Sequence, residues 1–222
     1  MTDIKPGHFM RYRIPLLATL AILVSACQPE PVVTQAPDAA PSAEADAFPY
    51  HFQAPEDWRS EVVTFPLSFA PELSYEGHGD VRFAPGMFTA GAEDFWTYSF
   101  VWWLPADTEI SAERLSADMD TYFSGLAALI TRANERDLPE FPASATYTSS
   151  AGTDGGVLKG RIETLDAFVT QSPVTLNSKV TQIRCEAQER KAVLFAFSPK
   201  AADHPNWAAL NKIRADFRCD KQ

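Results

Sequence analysis

The chain has 222 residues, 19 Lys and Arg against 29 Asp and Glu, a formal charge of −10, three cysteines and 17 prolines crowded towards the N-terminal half. That length allows one domain with appendages. The acidic balance, without any cluster of Lys and Arg, argues against a nucleic-acid partner, because a polyanion would be repelled and find no phosphate footprint.

Residues 1–27 have the layout of an export signal. Lys5, Arg11 and Arg13 lead into an apolar run over residues 14–24, too short to span a bilayer as a helix. Val24-Ser25-Ala26-Cys27 closes the run. This segment resembles the lipobox of bacterial lipoproteins, in which an aliphatic residue and two small ones precede an invariant cysteine. The resemblance implies cleavage before Cys27 and acylation of Cys27 by palmitate-type chains, the membrane being reached through that anchor. At about 0.8 kcal/mol per buried methylene, several acyl chains make the attachment effectively permanent. Gln28 stands where Asp would favour inner-membrane retention, so the resemblance implies the periplasmic face of the outer membrane. The other reading is an ordinary signal peptide cut after Ala26, with Cys27 a chance thiol.

Residues 28–49 are rich in Pro, Ala and acid and poor in large apolar side chains. Such a composition does not offset its ordering entropy and reads as a disordered tether. Residues 50–222 then form one globular domain, long enough for a sizeable core.

Within it, residues 60–65 predict a first strand, residues 76–80 a turn, and residues 81–84 a short second strand. The densest apolar run is residues 95–104. It predicts a central strand with Trp96, Tyr98, Phe100, Trp102 and Leu104 on one face and Phe95, Thr97, Ser99, Val101 and Trp103 on the other, both covered. Leu115, Met119, Tyr122, Phe123, Leu126, Leu129 and Ile130 recur at spacings of three and four, the stripe of a helix over residues 112–133 capped by Ser111. Its polar side, with Glu113, Asp118, Asp120 and Arg132, reads as solvated surface.

Two hairpins follow. Residues 145–150 face residues 157–165 across a glycine-bearing turn at 152–156, and residues 178–187 face residues 191–197. A last helix spans residues 205–215, capped by Asp203 or His204, with Trp207, Leu210 and Ile213 buried. The final strand runs about 20 Å from its turn and the helix returns about 16 Å, which brings Cys219 back beside Cys185. In an oxidising compartment that pair predicts a disulfide; two buried free thiols are the alternative. The sum is an α+β fold, a mostly antiparallel sheet of about seven strands with two helices packed on it. Its element order resembles the sandwich of the PsbP-type photosystem proteins, a likeness that carries no function across.

Candidate chemistry is sparse. His78, between Gly77 and Gly79, and Asp80 suggest a ligand contact, against the plainer reading of a solvated turn. A metal would need a third ligand, and none is evident, so no metal or other cofactor is expected. Neither a Gly-x-Ser-x-Gly elbow nor a phosphate-binding glycine loop occurs. Phe88, Trp96 and Trp102 are candidates for lining an apolar cleft, where residues 66–80 and 85–94 meet the ends of the aromatic strand, although such side chains more often fill a core. The expectation is a tethered, non-enzymatic envelope domain that binds a protein partner or a small apolar ligand. A periplasmic hydrolase working near His78 is the alternative.

Overall fold

The structure is a computed structural model and describes residues 48–149 and 156–220, all within one compact unit, Ala40–Gln222. The export signal, Cys27, residues 28–47 of the tether and most of the glycine-bearing turn lie outside the described residues. In chain order the elements are β1 Tyr50–His51, β2 Arg59–Thr64, β3 His78–Phe83, β4 Tyr98–Pro105, α1 Ala112–Ala133, β5 Ser144–Ser149, β6 Leu158–Asp166, β7 Ser172–Cys185, β8 Arg190–Ser198, α2 Asn206–Asp216 and β9 Arg218–Cys219. Seven strands form one sheet in the order β2-β3-β4-β8-β7-β6-β5, every neighbour antiparallel, and β1 pairs with β9 in a small second sheet. The expected α+β fold with helices on an antiparallel sheet is therefore what the chain forms.

Strand β4 sits between β3 and β8, and both of its faces are covered. Phe100, Trp102 and Leu104 join Phe195, Phe197, Leu115, Met119 and Phe123 under α1. Val101 and Trp103 pack on the other face with Leu194, Ile213 and Phe217. The strand begins later than the aromatic run predicts. Phe95 donates its backbone N–H to Ala92, Thr97 to Asp94 and Trp96 to Met87, and Trp96 takes a φ of 52°. Those turn bonds close the loop, and Trp96 reaches the α1 side from it rather than from the strand.

A second difference concerns His78 and Asp80, which lie in β3 and not in a turn. Gly77 and Gly79 reflect close packing. A Cβ on Gly77 (φ 129°) would collide with the Trp103 carbonyl oxygen, and one on Gly79 would lie 2.9 Å from Val63 Cγ2 and 3.6 Å from Trp102 Cδ1. Strand β7 is also longer than residues 178–187. The β6–β7 turn is held by the buried Asp166 carboxylate, which accepts the backbone N–H groups of Phe168, Val169 and Thr170.

The Ser111 hydroxyl accepts the Arg114 N–H at 3.1 Å, as the N-cap reading requires. Not all of the polar side of α1 is solvated, however. Asp118 is 4% exposed, accepts from the Tyr75 hydroxyl and pairs with Arg114 at 3.1 Å, while Asp120 accepts the Ala145 N–H. These carboxylates fasten α1 to the loop before β3 and to β5. Helix α2 starts one residue later than predicted, and His204 Nδ1 accepts the Asn206 N–H at 3.2 Å.

Cys185 and Cys219 form a disulfide with a Cα–Cα distance of 5.6 Å. A loop of 34 residues closed in this way stabilises the fold by about 3 to 4 kcal/mol in the chain-entropy treatment. Cys219 opposes Tyr50 in the small sheet. Phe48 and Pro49, assigned to the tether from sequence, belong to the domain: Phe48 stacks on the His78 ring at 4.3 Å, and the Pro49 carbonyl accepts the Asp220 N–H at 3.0 Å. A single phenylalanine among prolines and alanines gives too little local pattern to reveal such docking.

Candidate functional site

Strand alternation divides the residues of β3 between two layers. His78, Asp80 and Arg82 face the side of β1 and α2, whereas Val81 and Phe83 face α1. Two distinct sites result.

The first is polar. The Tyr50 hydroxyl lies 2.8 Å from His78 Nε2 and 3.4 Å from Asp80 Oδ2. Its one proton serves only one of them. Arg82 forms an ion pair with Asp80 through both nitrogens, Nη2 reaching Oδ2 at 3.1 Å. Arg82 also donates to the Phe52 carbonyl at 3.0 Å and to the Val81 carbonyl at 2.9 Å, and its guanidinium lies 4.8 Å from the centre of the Phe52 ring.

Burial raises the Asp80 pKa, against the opposing pull of Arg82. His78 is lowered by burial and by the charge of Arg190, and Tyr50 is raised by burial and by the Asp80 charge. A cleft of about 560 Å³ opens beside the cluster, lined by Phe52, Gln53, Trp58, Ser60, Asp80 and Arg82 among others. The bonds from Tyr50 to β3 and from Arg82 to the Phe52 carbonyl clamp the β1 segment onto β3.

The second site is apolar. A cavity of about 300 Å³ lies between α1, which contributes Tyr122, Leu126, Leu129 and Ile130, and the sheet, which contributes Val63, Val81, Phe83 and Tyr98. Phe69, Met87, Phe88, Trp96 and Phe168 add to its wall, with Glu61 and Ser68 its two polar members besides the tyrosines. The rings interlock, with centroids 5.2 Å apart for Phe88 and Phe168, 5.7 Å for Trp96 and Phe168, and 5.1 Å for Phe69 and Tyr122. Tyr98 is 3% exposed, its hydroxyl has no hydrogen-bond partner, and burial holds its pKa well above the ordinary phenol value. The Arg59 guanidinium lies 5.0 Å from the centre of the Phe88 ring and 5.9 Å from that of Phe83.

The residues singled out from sequence thus separate. His78 and Asp80 meet in the polar cluster. Phe88 and Trp96 meet at the cavity, where the segment before β3 and the loop before β4 approach the aromatic strand. Trp102 joins neither; it is 1% exposed, packed against Phe65, Tyr75 and Phe195. Sequence reasoning missed Arg82 and Tyr50 in the first site and Tyr98, Tyr122 and Phe168 as wall residues of the second. Arg82 is recoverable by period two once β3 is started at His78. No local signal marks Tyr50 or Phe168.

The chain matches no family model, no curated protein and no solved structure. Among the described residues no group of three or more His, Cys, Asp or Glu side chains is placed to hold a metal ion, and no helix is long and apolar enough to cross a membrane.

Proposed function

We propose that this chain is an envelope lipoprotein, anchored through acylated Cys27 at the periplasmic face of the outer membrane, whose domain holds a small apolar molecule in the cavity beneath α1. The carrying observation is the ring-walled cavity of about 300 Å³ to which Tyr98 contributes, its hydroxyl buried and unpartnered. A buried hydroxyl without a partner is costly, and a ligand that is mostly hydrocarbon with one acceptor oxygen would relieve that cost while filling the void. The Cys185–Cys219 disulfide suits an oxidising compartment. The leader and its lipobox supply the address. Palmitate label should be incorporated by the natural chain and lost in Cys27→Ala; label retained by that variant removes the anchor from the proposal.

Cavity binding is tested by titrating the protein with an apolar fluorescent probe. Leu126→Trp, which fills the void from α1, should abolish the response. Tyr98→Phe should leave the unliganded fold as stable or more stable by about 1 kcal/mol, because it deletes a buried unsatisfied group. Probe binding that survives Leu126→Trp unchanged defeats the cavity reading.

The second reading is a hydrolase using the polar cluster, supported by the opposed pKa shifts of His78 and Asp80 and by Ser60, which lines the cleft with Asp80 although His78 does not. It requires turnover of an ester or amide substrate by the natural chain that disappears in His78→Ala. Absence of turnover across a panel of such substrates retires it.

A further inference from the structure

The wall of the cavity beneath α1 contains one charge. Glu61 of β2 is the direct cross-strand partner of Val81, and directly opposed residues of an antiparallel pair share a face. Val81 belongs to the core under α1, so the Glu61 side chain leaves the sheet on the cavity side. Among the described residues it is the only ionisable carboxyl or basic group lining that cavity, and it takes part in no ion pair. Its charge is felt inside the wall: burial raises the pKa of Tyr122, and the Glu61 charge raises it further.

The rest of the lining favours the same sign. Aromatic rings present negative faces, which attract cations. Two of the rings already do so. The Arg59 guanidinium lies 5.0 Å from the centre of Phe88 and 5.9 Å from that of Phe83, although Arg59 is not itself part of the lining. Rings and a carboxylate together oppose a ligand that carries a carboxylate or phosphate into the chamber and favour one with a positive charge.

We propose that the apolar molecule held beneath α1 carries a cationic amine, protonated or quaternary, at the end that meets Glu61. This rests on the reading of the chamber as a ligand site and adds the sign of the ligand's charge. The Tyr98 hydroxyl, buried without a partner, is a separate polar group of the same wall. Glu61 on β2 and Tyr98 on β4 stand on either side of β3, about 10 Å apart between strand axes. The ammonium and the acceptor oxygen that meets Tyr98 therefore occupy opposite ends of one small molecule.

The test uses the full chain carrying Cys27→Ser, so that no acyl anchor takes up the ligands. Three compounds of nearly one shape separate charge from bulk: phenyltrimethylammonium, tert-butylbenzene and 2-methyl-2-phenylpropanoate. Each is titrated against the bound apolar fluorescent probe. The ammonium should displace the probe at a roughly tenfold lower concentration than the neutral hydrocarbon, and the carboxylate should be weakest. Glu61→Gln should cut the ammonium's advantage by roughly threefold or more, the share of a partly exposed charge pair. Glu61→Lys should reverse the order of the two charged compounds.

Two failures are distinguishable. If tert-butylbenzene displaces the probe, and Leu126→Trp abolishes probe binding, the chamber stands as a ligand site. The cationic proposal is then overturned by an ammonium that binds no tighter than the hydrocarbon, or that keeps its full advantage in Glu61→Gln. A carboxylate that binds tightest and loses its lead in Arg59→Gln overturns it in favour of an anion paired with Arg59. Probe binding unchanged in Leu126→Trp removes the chamber as a site, and this proposal with it.

Discussion

The two faces of β3 present opposite solutions to burial. On one, a phenol bonds an imidazole and a guanidinium pairs with a carboxylate. On the other, hydrocarbon and aromatic rings leave a void and one unsatisfied hydroxyl. Perturbed titration occurs on both faces, at His78 and Asp80 on the bonded one and at Tyr98 on the other, and only on the second does it accompany a buried hydroxyl without a partner. Unusual pKa values single out groups under electrostatic stress; they do not by themselves distinguish a clamp from a site.

The comparison can be broken most forcefully at Arg82. Its side chain is 13% exposed and that of Asp80 2%, so Arg82→Ala strands a buried carboxylate and should cost about 3 to 5 kcal/mol in urea unfolding. Asp80→Leu with Arg82→Met should restore most of that loss, since replacing both charges removes the desolvation penalty. A loss below about 1 kcal/mol in Arg82→Ala would mean the pair is effectively solvated. Next in size is the disulfide: the Cys185→Ser, Cys219→Ser double variant should lose about 3 to 4 kcal/mol, with faster hydrogen exchange concentrated at β1 and β9.

The smallest effect belongs to His78 and sharpens the contrast through pH. Its pKa in the fold is lowered from 6.5. The unfolded chain therefore takes up the proton first as pH falls through about 6.5, and the stability this imidazole contributes above that value is lost below it. Asp80 has the opposite sign in a window that starts at its ordinary value of 3.8. Its raised pKa means that the folded state keeps a proton the unfolded state has lost, so its contribution falls as pH rises through that window. Urea midpoints at pH 7.5 and 6.0 should differ less in His78→Gln than in the natural chain. Equal differences would place the titration elsewhere.

Much of this fold is legible in the chain because its signals are local and periodic. The stripe from Leu115 to Ile130 with Ser111 before it gives α1 to the residue, and the run of strand and helix lengths brings Cys185 to Cys219. Legibility fails where tertiary contacts decide. Gly77 and Gly79 carry the composition of a turn, yet they are glycine because Trp103 and Val63 lie too close for a Cβ. Trp96 has the strand propensity of its neighbours, but the backbone bond to Met87 holds it in a loop. Asp118 reads as one more surface charge until Tyr75 is seen to donate to it. Of the cavity wall, Phe88 and Trp96 stand out in the sequence, while Tyr122 and Phe168 do not, because they come from distant segments.

The two-residue pairing of β1 with β9 has a mechanical consequence. Strand β2 is an edge of the large sheet, the place where tension on the preceding chain would begin to peel it. Such a pull must first strip Tyr50 and His51 from Arg218 and Cys219, and β9 is tied covalently to the end of β7. Force entering at Phe48 is thus diverted into a sulfur-linked strand four places away from β2 in the sheet. The ring-walled chamber beneath α1 is thereby insulated from a pull applied ahead of Phe48.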